Sequence, residues 1–350
     1  MLLAACGSDG GDSSGDSSSG DGDASSDAIK AAWIYVGPTD DGGWTTAHDE
    51  GRMTVEENLG DGVETTFKEN VPEGPEVEKV IQDLIDEGNE IIFATSFGFG
   101  DALAEAAEEH PEVYFEHATG VPSDIENFDT YFGAGEDSLY LAGMAAGHAT
   151  ESGVIGFVAP FPIPEVVRHI NAYALGAQAT NPEATVKVVW INSWFDPPKE
   201  RQAAESLITE GADVIASGGD SPAPGEAAQA ANVPWTGYDS DQSENFPEIW
   251  LTAAIYDWGP YYTSRVEAVR DGSWEKGDYY GGIDDGFTDI APFGKIVDSA
   301  VQDEINAVRD QIIDGSFDIF AGPISDQEGE ERVAMSIDWF VAGVDGEIPT

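Results

Sequence analysis

The chain has 350 residues, enough for two domains of ordinary size, and carries 68 acidic against 14 basic residues. Its formal net charge of −54 disfavours nucleic acid as a partner, because contacts with phosphate groups need lysine and arginine. The same charge disfavours an anionic membrane surface and favours a monomer. Because such self-repulsion is screened only by plentiful salt, the composition favours a saline habitat, with an ordinary acidic secreted protein as the alternative.

The N-terminal segment resembles a lipid anchor followed by a tether. Cys6 is the single cysteine, so no disulfide can form within the chain, and residues 3–6 (LAAC) resemble a bacterial lipobox. We expect a lipid on Cys6 that holds the protein outside the cytoplasmic membrane. Most of a signal peptide is missing upstream, which indicates an earlier start codon than Met1. Residues 7–27 contain only Gly, Ser, Asp and one Ala, a composition that predicts a disordered linker.

Residues 33–52 (WIYVGPTDDGGWTTAHDEGR) predict the first strand–helix unit of an open α/β sheet. A short apolar run at 33–36 is followed by a turn rich in Gly, Pro and Asp, and a helix is predicted to begin near Thr45. In such sheets ligands bind beyond the carboxyl ends of the strands. Trp44 stands in that loop and offers a flat face for stacking.

An amphipathic helix that ends at a glycine and leads into a short strand occurs twice. The first helix is predicted over 75–87 and ends at Gly88, and the second is predicted over 198–210 and ends at Gly211. The two glycines are 123 residues apart (211 − 88). One α/β unit is therefore predicted to be built twice, as in a receptor that closes on a ligand between two lobes.

The 33–52 stretch resembles the opening motif of the basic membrane protein (BMP) family of ABC-transporter substrate-binding lipoproteins, which includes purine-nucleoside receptors. Further matching stretches follow in order over roughly residues 30–345. They are FATSFGFGD (93–101), FEHATG (115–120), YLAGMAAG (140–147), VAPFPIPEVVRHINAYALGA (158–177), NSWFDPPKERQAAESLI (192–208), GDSPAP (219–224), GYDSDQ (237–242) and DWGPYY (257–262).

The resemblance implies an α/β fold of the two-lobed type I periplasmic-binding-protein kind, in which each lobe is a parallel sheet flanked by helices. Three hinge crossings are expected, near 133–136, 253–257 and 283–288. The N-terminal lobe would comprise 28–135 plus about 257–285, and the C-terminal lobe 136–256 plus about 286–350.

Loops after the strand ends should face the gap between the lobes. Their flat aromatic rings and carboxylates suit an aromatic ligand that carries N–H donors, and a purine meets both requirements. The predicted ligand-binding residues in or beside these loops are Asp41, Trp44, Thr45, Phe97, Gly98, His117, Phe161, Trp194, Phe195, Asp220 and Asp239. Core packing is the alternative for any single aromatic residue, and a solvated acidic face is the alternative for the aspartates.

One departure from the family pattern bears on the ligand. Nucleoside-binding members carry a lysine after the strand that returns to the first lobe, where it helps to hold the ribose. Here Asp257 or Trp258 takes that place. Loss of the lysine removes a donor for sugar oxygens, so a nucleobase such as adenine is favoured over a nucleoside, and both residues are candidate ligand contacts.

The sequence thus predicts the extracytoplasmic substrate-binding component of an ABC importer, with a membrane permease as its partner and neither cofactor nor metal. No assembled nucleophile or acid–base motif indicates an enzyme. Two alternatives stay open. One is a calcium-dependent nucleoside hydrolase, since residues 38–42 (PTDDG) resemble its aspartate cluster, and the other is a sensory receptor of the same fold.

Overall fold

A computed structural model describes residues 28–332 and 338–349, so Cys6 and the 7–27 segment lie outside the described part of the chain. The architecture consists of two main sheets with helices on their faces. The first sheet is parallel throughout and has the strand order β11-β5-β4-β3-β1-β2. Its strands are β1 (Ile29–Ile34), β2 (Val63–Lys68), β3 (Ile91–Ala94), β4 (Tyr114–Ala118), β5 (Phe128–Gly133) and β11 (Tyr279–Gly281).

The second sheet has the order β12-β10-β9-β8-β6-β7-β15, and β12 alone runs antiparallel to its neighbour. Its strands are β6 (Val154–Ala159), β7 (Thr185–Trp190), β8 (Val214–Ser217), β9 (Trp235–Asp239), β10 (Trp250–Tyr256), β12 (Thr288–Ile290) and β15 (Val344–Asp345). Strands β6 to β10 repeat the order of β1 to β5. A separate small ribbon pairs β13 (Ile324–Ser325) with β14 (Glu331–Arg332).

Helices cover both faces of each sheet because the strands are apolar on both sides. The helices are α1 (Trp44–Leu59), α2 (Glu76–Asp86), α3 (Gly100–Glu109), α4 (Gly135–Ala149), α5 (Pro164–Thr180), α6 (Pro197–Thr209), α7 (Ala223–Ala231), α8 (Gly259–Asp271) and α9 (Ser299–Ile313). In α2 the predicted face is the buried one, with Val77, Ile81 and Leu84 packed under the first sheet. In α6 the corresponding buried residues are Ala203, Ala204 and Leu207.

The first strand begins earlier than the sequence predicted, at Ile29 rather than Trp33. It pairs along its whole length with β2 and over its second half with β3, which places Trp33 beside Phe93. Their rings stack with centroids 4.8 Å apart, and Trp33, Ile34 and Tyr35 are fully buried. The following loop leaves the sheet at its carboxyl edge, where Trp44 opens α1.

The chain passes between the two sheets three times, after β5, after β10 and after β11. Helix α4 follows β5 yet packs against α5 and β10 of the second sheet, and α8 follows β10 yet packs against α1 of the first. The crossings lie together, since a Cβ on Gly133 would come within 3.0 Å of Tyr256, Phe287 and Thr288. The exact lobe boundaries stay a prediction.

Helices α4 and α5 approach each other at backbone distance. A Cβ on Gly143 would lie 2.1 Å from the carbonyl oxygen of Tyr173, which leaves no room for any side chain there. This contact fixes how the middle of α5 lies against α4. Helix α9 packs on the outer side of α4.

Candidate functional site

The carboxyl ends of the two sheets face each other across a partly enclosed cavity. Its empty volume is about 540 Å³, a figure that includes open solvent at its mouth. Both sheets contribute to the wall, through loops after their strands and through the first turns of α1 and α5. The lining residues are Val36, Trp44, Thr95, Ser96, Phe97, Thr119, Leu139, Phe157, Glu165, Val166, His169, Trp194, Gly218, Asp220 and Tyr238.

The two lobes are in contact beside this cavity. The carbonyl oxygen of Gly42 accepts hydrogen bonds from Ser240 Oγ at 2.6 Å and from Gln242 Nε2 at 2.7 Å. Gly43 sits so close to the second lobe that an added Cβ would lie 2.4 Å from the carbonyl oxygen of Asp220. These contacts join the loop after β1 to the loops after β8 and β9, so the structure is a closed form.

Trp44 is held in the cavity wall by a specific contact. It is the first residue of α1, and its indole Nε1 donates a hydrogen bond of 2.6 Å to the carbonyl oxygen of Thr95. The edges of Tyr256 and Trp258 pack against it, with ring centroids 6.2 and 5.4 Å away. A ring held on one side in this way is preorganised to stack against a flat ligand.

Two further predicted aromatic residues line the cavity, Phe97 and Trp194. Phe97 belongs to the first lobe, and 45% of its surface is exposed, a large fraction for a phenylalanine that lines a cavity. Trp194 belongs to the second lobe and packs edge-on against Phe161, with centroids 5.1 Å apart. Phe161 and Phe195 are half-buried behind it and do not line the cavity. Aromatic faces therefore come from both lobes.

Asp220 and Asp239 are buried carboxylates with unused hydrogen-bonding capacity. Asp220 lines the cavity, whereas Asp239 is buried but is not among the lining residues. Neither Asp220 Oδ2 nor either oxygen of Asp239 has a hydrogen-bond partner. Burial raises the pKa of Asp220 well above its ordinary value, and repulsion from Asp41 and Asp239 adds to it. Burial likewise raises the pKa of Asp239, with repulsion from Asp41 and Glu165. A buried acceptor without a donor destabilises the folded protein, so these oxygens are candidate acceptors for hydrogen bonds from a ligand.

Eleven of the fifteen lining residues were not among those predicted from the sequence, and three of the eleven carry polar groups that bear on a ligand. Thr119 follows β4 with φ +61°, and its buried Oγ1 has no partner. His169 on α5 has a free buried Nε2, while its Nδ1 lies 3.4 Å from Tyr238 Oη. Burial lowers the pKa of His169 well below its ordinary value, so the ring is neutral. The third is Glu165, in the first turn of α5 at the end of the loop after β6.

Asp41 and Thr45 build the turn that carries Trp44. The carboxylate of Asp41 accepts hydrogen bonds from the backbone N–H groups of Gly43, Thr45 and Thr46 at 2.9–3.0 Å. Its two oxygens are thereby occupied, and burial still raises its pKa. Thr45 is fully buried. Both residues position the aromatic ring instead of lining the cavity.

The remaining predicted residues lie behind or outside the wall. His117 is buried, and its Nε2 lies 2.9 Å from the carbonyl oxygen of Ser96, which supports that lining loop from behind. The N–H of Gly98 donates to Glu73 on the outer side. Asp257 is exposed at the start of α8, and Trp258 is buried beside Trp44. Among the lining residues there is neither lysine nor arginine.

Within residues 28–332 and 338–349, no three His, Cys, Asp or Glu side chains are grouped closely enough to hold a metal ion. In the same part of the chain, no helix combines the length and apolar character that a membrane span requires. The cavity therefore offers aromatic faces, hydrogen-bond acceptors and two neutral polar groups, an assembly suited to recognising a small polar molecule with a flat face.

Comparison with known proteins places the chain among solute receptors. Residues 28–320 match the family model described as Bmp, ABC transporter substrate-binding protein PnrA-like. A Haloferax volcanii protein, provisionally named an ABC transporter glucose-binding protein, is 41% identical over 331 residues, covering 95% of this chain and 84% of its own. A purine-binding protein of Brucella abortus is 39% identical over 331 residues, covering 92% and 94%.

Solved structures share the fold at low sequence identity. A solute-binding protein from Aeropyrum pernix superposes with a TM-score of 0.73 at 17% identity, covering 83% of this chain and 93% of its own. One from Conexibacter woesei gives a TM-score of 0.66 at 22% identity, covering 83% and 98%. The predicted two-lobed type I periplasmic-binding-protein fold is thereby confirmed. With the family model matched over most of its length, the chain belongs to the Bmp family of PnrA-like ABC transporter substrate-binding proteins, extracytoplasmic receptors that bind a small molecule for a membrane permease.

Proposed function

We propose that this receptor captures a purine nucleobase, with adenine preferred over a nucleoside, and presents it to an ABC importer. The observation that carries the proposal is the pairing of aromatic residues from both lobes with the unpartnered buried carboxylate of Asp220 in one cavity. Trp44 supplies a fixed face from the first lobe, and Trp194 supplies one from the second. A flat heteroaromatic ring with N–H donors satisfies both features.

The polar atoms of adenine match the groups that lack partners. Its amino group is a donor for the carboxylate of Asp220. Its ring N–H is a second donor for an acceptor in the wall. Its ring nitrogens are acceptors, for which the hydroxyl of Thr119 and an N–H on His169 are suitable donors. A ligand without these donors would leave buried carboxylates unpaired, and this penalty is the basis of selectivity.

Capture is coupled to closure of the lobes. Ligand contacts with both lobes exist only when the loops after β1, β8 and β9 meet, so binding shifts the population toward the closed form. The hydrogen bonds from Ser240 and Gln242 to Gly42 then hold the entrance together. We infer that the closed form is a monomer that docks on the permease, tethered through a lipid on Cys6.

D-Glucose is a second candidate ligand. It is favoured by the name of the Haloferax volcanii relative, which is as similar to this chain as the purine-binding one. Carboxylates accept hydrogen bonds from sugar hydroxyls, and tryptophan faces pack against the apolar side of a sugar ring. The two ligands differ in what Trp44 and Trp194 would contact, since only a purine offers two aromatic faces.

The hydrolase alternative is weakened by the geometry of the predicted aspartate cluster. Asp41 already accepts from three backbone N–H groups, so its oxygens are committed to the turn and are not free for a calcium ion. A sensory receptor would use the same cavity and the same closure. Uptake of labelled adenine by cells with and without this gene separates transport from sensing.

Isothermal titration calorimetry of the full-length chain in high salt tests the proposal. The titrants are adenine, guanine, adenosine, inosine and D-glucose. We expect tight binding of adenine and weaker binding of adenosine, with no release of free base from inosine when calcium is added. Binding of glucose alone would replace the purine proposal, and heat from none of the five would refute both.

A further inference from the structure

A second, wider cavity adjoins the first on the side of β11. Its empty volume, open solvent at its mouth included, is about 1030 Å³, and its wall includes Tyr279, Tyr280 and Arg168. The two cavities share three lining residues, Phe97, Thr119 and Glu165. The boundary between them is therefore made by side chains from both lobes, with Glu165 as its one charged member.

Glu165 is placed at this boundary without any protein partner. Within the described residues, no group donates a hydrogen bond to its carboxylate and no cation lies at ion-pair distance from it. The nearest cation along α5 is Arg168, which is engaged elsewhere. Its Nε lies 3.2 Å from Glu136 Oε1, and its Nη2 donates to Tyr280 Oη at 3.1 Å. The carboxylate of Glu165 is an acceptor left open at the junction of two cavities.

Burial raises the pKa of Glu165 to about 7, with Arg168 opposing that rise and Glu136 adding to it. A ligand that brings a hydrogen-bond donor to this carboxylate should bind most favourably. A ligand that covers it with an atom that cannot donate should bind least favourably, because the charge is then desolvated and unpaired.

Resting on the proposed purine site, we propose that Glu165 is a specificity-determining residue that selects bare bases by accepting the ring N–H that nucleosides lack. The second cavity has room for a substituent beyond this point, so an N9-substituted purine is rejected by the unpaired carboxylate and not by lack of space. Removal of the carboxylate should then admit substituted purines. A negative contact of this kind is a recognised route to specificity.

The test compares adenine, 9-methyladenine and adenosine by calorimetry in the wild type, Glu165→Ala and Glu165→Gln. In the wild type we expect 9-methyladenine to bind about tenfold or more weakly than adenine. In Glu165→Ala that ratio should fall to about threefold or less, with adenine weakened and adenosine strengthened. Glu165→Gln keeps a carbonyl acceptor and should restore part of the adenine affinity.

Glu183→Gln, an exposed change of the same charge, is the control and should leave every ratio unaltered. The proposal would be overturned, with purine binding intact, if the ratio of adenine to 9-methyladenine affinity were the same in the wild type and Glu165→Ala. It would also be overturned if the wild type bound the two bases equally well. Absence of purine binding in all variants would instead remove the proposed function itself. Thermal melts verify folding, and Glu165→Gln carries the test if the alanine variant does not fold.

Discussion

Trp44 shows how one residue is prepared for a ligand by its surroundings. The turn that begins with Asp41 ends at this ring, and the bond from its indole to Thr95 fixes the plane of the ring. The ring is only 8% exposed, so a ligand in the cavity would have to contact the remaining face. The position of the ring therefore depends on the turn around Asp41 and on a contact with a loop distant in sequence.

We predict that Trp44→Ala abolishes purine binding, a loss of about 100-fold or more, because a stacked face and a wall are removed together. Titration calorimetry measures the effect. Trp44→Phe keeps a flat face and should retain a substantial part of the affinity. Equal affinities for the wild type and the alanine variant would exclude Trp44 from the site.

Replacing the buried aspartates should stabilise the ligand-free protein, and replacing Asp220 should also weaken ligand binding. Asp220→Asn and Asp239→Asn each remove an unpartnered charge, so the ligand-free protein should gain about 1–3 kcal/mol of unfolding free energy. In Asp220→Asn, whose carboxylate lines the cavity, ligand affinity should fall about 10- to 100-fold, because a charge-assisted hydrogen bond is lost. Denaturant unfolding and calorimetry measure the two effects. Asp124→Asn, an exposed site, serves as control, and variants that lose stability as well as affinity would contradict the interpretation.

At the scale of elements, the first turn of α5 should confer a pH dependence. Burial raises the pKa of Glu165 from 4.5 to about 7, so the folded protein holds this proton more tightly than the unfolded chain does. The contribution of Glu165 to the unfolding free energy should therefore decrease as pH rises from about 4.5 to about 7. The difference between wild type and Glu165→Gln over this range isolates it. Nearby charged or titratable groups are Arg168, Glu136, Asp220, Asp239, Tyr238, Tyr256 and Tyr280.

The loop between β1 and α1 should control closure. A Cβ at Gly43 would lie 2.4 Å from the carbonyl oxygen of Asp220. Because that oxygen belongs to the backbone, it cannot move aside as the end of a flexible side chain could. Gly43→Ala should hold the lobes apart and weaken ligand binding about tenfold, with little change in the stability of the open form. Small-angle scattering with saturating ligand should show a larger radius of gyration than the wild type. Gly62→Ala, in an open position of the same lobe, is the control.

At the scale of the whole molecule, charge should set the response to salt. With a formal net charge of −54, repulsion acts across the entire surface, and only part of it is relieved by ion pairs such as Arg265 with Glu116 and Asp129. Added NaCl should raise the melting temperature by about 2–4 °C or more, the shift that ~1 kcal/mol produces in a domain of comparable size. A flat series from low to high NaCl would contradict this. Screening should level off near 1 M, where the Debye length is about 3 Å.

The fold could be predicted from the sequence because the patterns that indicate it are local and occur twice. Glycines 123 residues apart end helices α2 and α6 (211 − 88), and the apolar runs after them became β3 and β8 at matching places in two sheets. The residues of the site could be predicted only in part. Trp44, Phe97, Trp194 and Asp220 follow strand ends and line the cavity, whereas Asp41 and Trp258 follow the same rule and serve the turn and the core.

The sequence by itself determined the family, the two-sheet architecture and the loops that meet at the cavity, because strand periodicity, turn residues and motif order are properties of neighbouring residues. Only the tertiary structure decided which side chains those loops present. Glu165 and His169 enter the wall from α5, which packs on α4 at backbone distance. Thr119 enters it from the first lobe, directly after β4. Such placement depends on contacts between distant parts of the chain, which no local pattern encodes.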